Sequence, residues 1–148
     1  MMRLDQPIPR RNWLARLAAA VSVPAIAGAL TDDAVASDVE ATQAVFDHHL
    51  GAFAQGIDAL VSDYTDESVV VTPDAAHKGL KEIRAFFQAF LDGATPEFWK
   101  AFKISSRSVH GEIAYLVWSS HPSVPMATDT LLVRNGKILV QTFTPFKA

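Results

Sequence analysis

Apolar positions change their spacing four times along this chain, and each change marks an element. Leu17 to Leu30 is a 14-residue apolar run with Ser22 its one polar side chain. From Thr42 the pattern becomes helical, with Val45, Phe46, His49, Leu50 and Phe53 on one stripe that stops at Gln55-Gly56. Ser37-Asp38-Val39-Glu40 reads as a capping box that opens this helix, with Ser37 as N-cap and Glu40 reaching back. Ile57, Leu60, Val61 and Tyr64 predict a short second helix. Ser68 to Thr72 (SVVVT) predicts a buried strand stopped by Pro73-Asp74. After Gly79, a third helix carries Ile83, Phe86, Phe87, Phe90 and Leu91 on one face and ends near Asp92-Gly93.

Beyond that point the period drops towards two. Strands are predicted over 98–109, 113–119, 126–134 and 137–144, with a turn at His110-Gly111 and a loop over 121–125. Asn135-Gly136 is a two-residue hairpin signal between the last two. Helices first and strands afterwards predict an α+β domain with its helices on one face of a curved sheet.

The apolar run at the start has a different meaning. It follows Pro9-Arg10-Arg11-Asn12-Trp13-Leu14 and precedes Ala34-Val35-Ala36, small residues suited to a peptidase site. Fourteen residues at helical rise span about 21 Å, short of the roughly 30 Å of a hydrocarbon core. Residues 1–36 therefore read as a secretory signal that resembles the twin-arginine type, implying the twin-arginine translocase as a transient partner and a periplasmic or secreted destination. Residues 37–148 form the single domain.

Composition narrows the function classes. The chain has 148 residues, 49% of them hydrophobic, and a net charge of −3. Residues 37–148 hold 9 basic and 13 acidic side chains, net −4, without a basic cluster beyond Lys78, Lys81 and Arg84. Nucleic acid and anionic membrane are poor partners for such a surface. Cysteine is absent, which removes disulfides, thiol nucleophiles and thiolate metal sites. Five scattered histidines show no zinc-ligand spacing, and no metal or cofactor is implied.

The order of elements, together with the words Gly56-Ile57-Asp58-Ala59-Leu60, Tyr64 to Pro73, Lys78 to Phe87 and Asp129 to Ile138, resembles the nuclear transport factor two-like superfamily. Within it the chain is similar to the SnoaL-like and ketosteroid-isomerase-like domains. The resemblance implies a cone, a cystatin-like α+β barrel in which a curved antiparallel sheet wraps three N-terminal helices around a mostly apolar pocket. It also implies a homodimer and a small apolar organic ligand.

Ketosteroid isomerase pairs an aspartate base with a tyrosine and a protonated aspartate that hold an oxyanion. The base position corresponds to Thr72, which carries no acidic group, and Asp74 lies two residues on. The tyrosine position corresponds to His49, allowing one deletion beside Gly56, and the second aspartate to Asp129. His49 shares the apolar stripe of Phe46 and Phe53, and burial there favours a neutral ring that can donate or accept a proton. Alternation puts Asp129, Leu131 and Val133 on one face and Thr130 and Leu132 on the other, and both faces are apolar enough to bury Asp129 in part whichever way it points; burial in an apolar pocket raises its pKa. His49 and Asp129 are the candidate catalytic pair. The alternatives are a core histidine bonded to a backbone carbonyl and a structural aspartate bonded to a neighbouring strand or a dimer partner. Strand parity adds Trp118, Gln141 and Phe143 to the pocket wall with Ala114, and Tyr64 closes the helix side.

Three functions are compatible with these residues. One is cofactor-independent isomerase- or lyase-type acid–base chemistry on a small apolar carbonyl compound. The others are a non-catalytic carrier or sensor, and a dimerisation module whose pocket is vestigial.

Overall fold

A computed structural model describes residues 32–146. The expected signal segment lies almost wholly outside them. The chain runs α1 (Asp32–Ala52), α2 (Ile57–Val61), β1 (Val69–Val71), β2 (Ala76–Lys78), α3 (Gly79–Gly93), α4 (Pro96–Ala101), β3 (Phe102–His110), β4 (Ile113–Ser120), β5 (Val124–Arg134) and β6 (Lys137–Phe146). The six strands form one sheet in the order β2-β1-β6-β5-β4-β3. β1 runs parallel to β6, and every other pair is antiparallel. Register shifts at Ile104/Ser106, Trp118/Ser120 and Leu132/Val133 bend the long strands, because an extra residue on one strand sharpens local twist. The result is the expected α+β cone, with an unclosed sheet curved over the helices.

Three expectations need correction. Ser37 is no N-cap: α1 already begins at Asp32, so the capping box falls inside the helix. Ala34 and Ala36 are strong helix formers, and nothing between Asp32 and Ser37 breaks the helix. Residues 98–101 belong to a fourth helix rather than to the first long strand. Thr95 accepts a hydrogen bond from the Phe98 amide at 3.2 Å and Pro96 occupies the first turn, so local capping outweighs the β preference of Phe98 and Trp99. β2 was not anticipated. It folds back on β1 through a turn in which Thr72 Oγ1 accepts from the Ala75 amide at 3.1 Å.

Two backbone positions carry the chain through sharp changes. Asn135 and Gly136 sit at φ 53° and 70°, the left-handed pair that a two-residue hairpin requires. Gly79 sits at φ +74°, and a Cβ there would lie 3.2 Å from the Asp66 carbonyl oxygen. The core lies between helices and sheet: Phe46, Leu60, Val70, Ile83, Leu131 and Ile138 are almost fully buried. Alternation on β4 and β5 sends Ala114, Leu116, Trp118, Ala127, Asp129, Leu131 and Val133 into this layer. The same alternation carries two polar side chains, Asp129 and its neighbour Gln141 on β6, into the core.

Candidate functional site

A cavity of about 400 Å³ opens between the helices and the concave sheet face, within the size range of small-molecule sites. Its helix side is lined by Phe46, Phe53, Phe86, Phe87 and Phe90. Its sheet side is lined by Leu116, Trp118, Leu131 and Phe143, with the Trp118 and Phe143 rings stacked 4° from parallel at 6.0 Å between centroids. Ala54, Trp99 and Ile104 are the exposed lining residues and mark the mouth. His49, Asp129 and Gln141 supply the buried polar groups of the wall.

The Asp129 carboxylate is held from both sides. Trp118 Nε1 donates to Oδ2 at 2.7 Å and Gln141 Nε2 donates to Oδ1 at 2.8 Å. Tyr64 in turn donates its hydroxyl to Gln141 Oε1. Three side chains thus form one buried relay that ends on the carboxylate, and each carboxylate oxygen keeps a lone pair for a ligand. Burial pushes the Asp129 pKa up, against the opposing pull of the Trp118 and Gln141 hydrogen bonds and of the His49 ring. The Tyr64 hydroxyl is pushed well above the ordinary phenol range by burial, reinforced by the Asp129 and Asp63 carboxylates.

His49 stands in the last full turn of α1, 2% exposed, with edge-to-face contacts to Phe53, Tyr64 and Phe87. No hydrogen bond joins it to Asp129 among the described residues. Its Nδ1 lies 3.4 Å from Oδ2 of Asp63, while the other oxygen, Oδ1, bonds His48 Nδ1 at 2.7 Å. The backbone of Asp63 is fixed on both sides, its amide donating to Leu60 O and its carbonyl accepting from the Ile138 amide at 2.8 Å.

The structure brings His49, Asp129, Trp118, Gln141 and Phe143 to the wall of one cavity. Tyr64 and Ala114 are corrections. Both are buried but neither lines the cavity; Tyr64 lies behind Gln141 and orients it. Thr72 and Asp74 also stay outside, the first closing the β1–β2 turn and the second exposed to solvent. Asp63 and the aromatic wall of α3 and α4 were missed as site residues. The Phe86, Phe87 and Phe90 stripe was visible as helix core, and its second use as cavity lining needed the sheet's curvature. Asp63 had no local signal at all, being a polar residue in the turn that follows a five-residue helix.

No family model matches the chain, and no curated protein matches it. Its fold does match solved structures. One is an NTF2-like protein of unknown function from Mesorhizobium loti, with TM-score 0.61 and 18% identity over 74% of this chain and 93% of that one. A putative polyketide cyclase from Sinorhizobium meliloti has TM-score 0.56 and 19% identity over 68% and 93% of the two chains. A SnoaL-like protein of unknown function from Burkholderia thailandensis has TM-score 0.58 and 12% identity over 73% and 96%. At such identities the likeness carries the architecture: the chain has the cone fold of the nuclear transport factor two-like proteins.

Proposed function

We propose that the protein binds a small, flat, largely apolar carbonyl compound in this cavity and moves a proton on it. The observation that carries the reading is a buried carboxyl group, Asp129, on the wall of a cavity otherwise lined almost entirely by aromatic and aliphatic side chains. Burial raises the Asp129 pKa and so favours the protonated form, and in that form the carboxyl group can hydrogen-bond a carbonyl oxygen and strengthen that bond as enolate charge develops. His49 is the base. It takes a proton from the carbon next to the carbonyl, the electron pair moves onto the oxygen facing Asp129, and the proton returns to a second carbon of the same molecule. No cofactor enters this balance. Trp118, Gln141 and Phe143 shape the ligand's place, and Tyr64 keeps Gln141 turned towards the carboxyl group.

The ketone 2-tetralone and the phenol 2-naphthol, which mimics its enol, test the reading. Complementarity to the enol predicts that 2-naphthol binds more tightly, with a larger thermal shift. Equal binding of the two, or none, removes the proton-transfer reading.

A second reading is favoured by one observation: both Asp129 oxygens already accept a hydrogen bond. In a carrier the carboxyl group serves only as a fixed polar anchor, and ligands bind without turnover.

Export by the twin-arginine route belongs to the same proposal and rests on Arg10, Arg11 and the apolar run after them. Replacing both arginines with lysine is expected to leave the protein in the cytoplasm. A homodimer is proposed through the outer face of β4 and β5, where Ile113, Tyr115 and Met126 are exposed apolar residues. Light scattering showing only monomer would remove it.

A further inference from the structure

Among the described residues, two fully buried side-chain polar atoms lack any hydrogen-bond partner: His49 Nδ1 and Asp63 Oδ2. They face each other at 3.4 Å. Two buried polar atoms left unpaired are costly, and native structures pair them. If Nδ1 carried a lone pair, it would confront the lone pairs of a carboxylate oxygen, two acceptors in contact inside the core. If Nδ1 carries the proton, a small rotation of the imidazole turns the same contact into a charge-assisted hydrogen bond. The opposite side of Asp63 is already fixed, because His48 Nδ1 bonds Oδ1 at 2.7 Å and the backbone of Asp63 is held by α2 and β6.

We infer that Asp63 is a positioning residue that holds His49 as its Nδ1–H tautomer, so that the ring's other nitrogen, Nε2, offers its lone pair to the cavity. The inference rests on the proposed role of His49 as a base and gives it a mechanism. An imidazole with Nε2 protonated could only donate to a ligand, whereas one with Nδ1 protonated can accept a proton from it. His48, 46% exposed in its side chain, connects this arrangement to solvent as the clamp on the second carboxylate oxygen.

The tautomer is readable without any ligand or turnover. Two-bond nitrogen–carbon-proton correlation spectra of the ¹⁵N-labelled chain distinguish a protonated from a bare ring nitrogen in neutral histidine. In the unaltered chain the expected result is Nδ1–H over Nε2–H for His49 by about tenfold or more, as a charge-assisted bond would bias it. In Asp63→Asn, whose amide can present N–H to His49, the bias is expected to fall severalfold or reverse. In His48→Phe, Asp63 remains and the His49 tautomer is expected to persist. An Nε2–H tautomer in the unaltered chain overturns the inference, and so does an unchanged ratio in Asp63→Asn. The first measurement needs no variant, so a misfolded Asp63→Asn leaves the inference open to refutation. Should the Nδ1–H tautomer be found while 2-tetralone neither binds nor enolises, the inference stands and the catalytic reading falls.

Discussion

Replacing Gln141 with leucine tests the buried relay more sharply than any change at the carboxyl group itself. Leucine is close to glutamine in volume, so the substitution removes hydrogen bonds with little change in packing. Two interactions go. The Tyr64 hydroxyl, in a residue 3% exposed, loses its partner, and an orphaned buried donor costs about 1–3 kcal/mol. Asp129 loses the 2.8 Å bond from Nε2, and a hydrogen bond to a neutral group contributes about 0.5–1.5 kcal/mol. Gln141→Leu should therefore destabilise by about 1.5–4.5 kcal/mol. Tyr64→Phe alone orphans the Gln141 carbonyl oxygen, for about 1–3 kcal/mol. In the double variant the phenylalanine has no hydroxyl to orphan and the leucine no oxygen. The combined loss should then fall short of the sum of the single losses by at least about 1–3 kcal/mol, the range of coupling within one network. Urea unfolding with unchanged m-values measures all four corners of the cycle. Additivity to within about 0.5 kcal/mol would show that Tyr64 and Gln141 act independently, and the relay would have to be abandoned.

Other outcomes follow from the same geometry. Asp129 has its pKa raised on folding, so the folded chain holds its proton more tightly than the unfolded chain. Its contribution to stability is complete below the unfolded value of 3.8 and declines as pH rises through the higher folded value. Asp129→Asn should remove that decline, seen as a flatter curve for the variant than for the unaltered chain when their unfolding free energies are compared from acid to neutral pH; a parallel pair of curves would contradict the burial assigned to this group. Gly79→Ala forces a left-handed φ of +74° on a residue whose Cβ meets the Asp66 carbonyl, and should cost about 1–3 kcal/mol in chemical denaturation. Gly93→Ala, where a Cβ meets nothing within 4 Å, is the control and should be neutral or mildly stabilising. Thr95→Ala removes the cap of α4 and should lower stability by about 1 kcal/mol, roughly 4 °C in melting temperature.

Local rules made much of this fold legible. The α1 stripe, the Asn135-Gly136 hairpin and the alternation of β4 and β5 follow from spacing, and alternation groups Asp129 with Leu131 and Val133 on one face of β5. Three features escaped because competing local signals were close in strength. Phe98 and Trp99 favour strand by type, yet Thr95 and Pro96 start a helix beneath them. Ser37 and Glu40 have capping chemistry, yet the helix runs past them to Asp32. β2 is three residues long and acquires its identity only by pairing with β1. The site divides along the same line. Periodicity puts His49 on the α1 stripe and Trp118, Gln141 and Phe143 on single strand faces, and the resemblance to ketosteroid isomerase pairs His49 with Asp129, whereas the bonds of Tyr64 to Gln141 and of Asp63 to His48 join residues 77 and 15 positions apart. Such contacts are products of sheet curvature and helix docking, which no local pattern encodes.

The central claim is that this cavity moves a proton on a carbonyl compound, and deuterium uptake tests it most directly. 2-Tetralone in heavy water exchanges the hydrogens beside its carbonyl slowly without a catalyst, and proton NMR follows their loss. The account predicts faster exchange with the unaltered chain, inhibition by 2-naphthol, and return to the uncatalysed rate in His49→Phe and in Asp129→Leu variants that retain the folded spectrum. Binding of 2-tetralone with exchange no faster than in buffer would contradict the account and leave a carrier in its place.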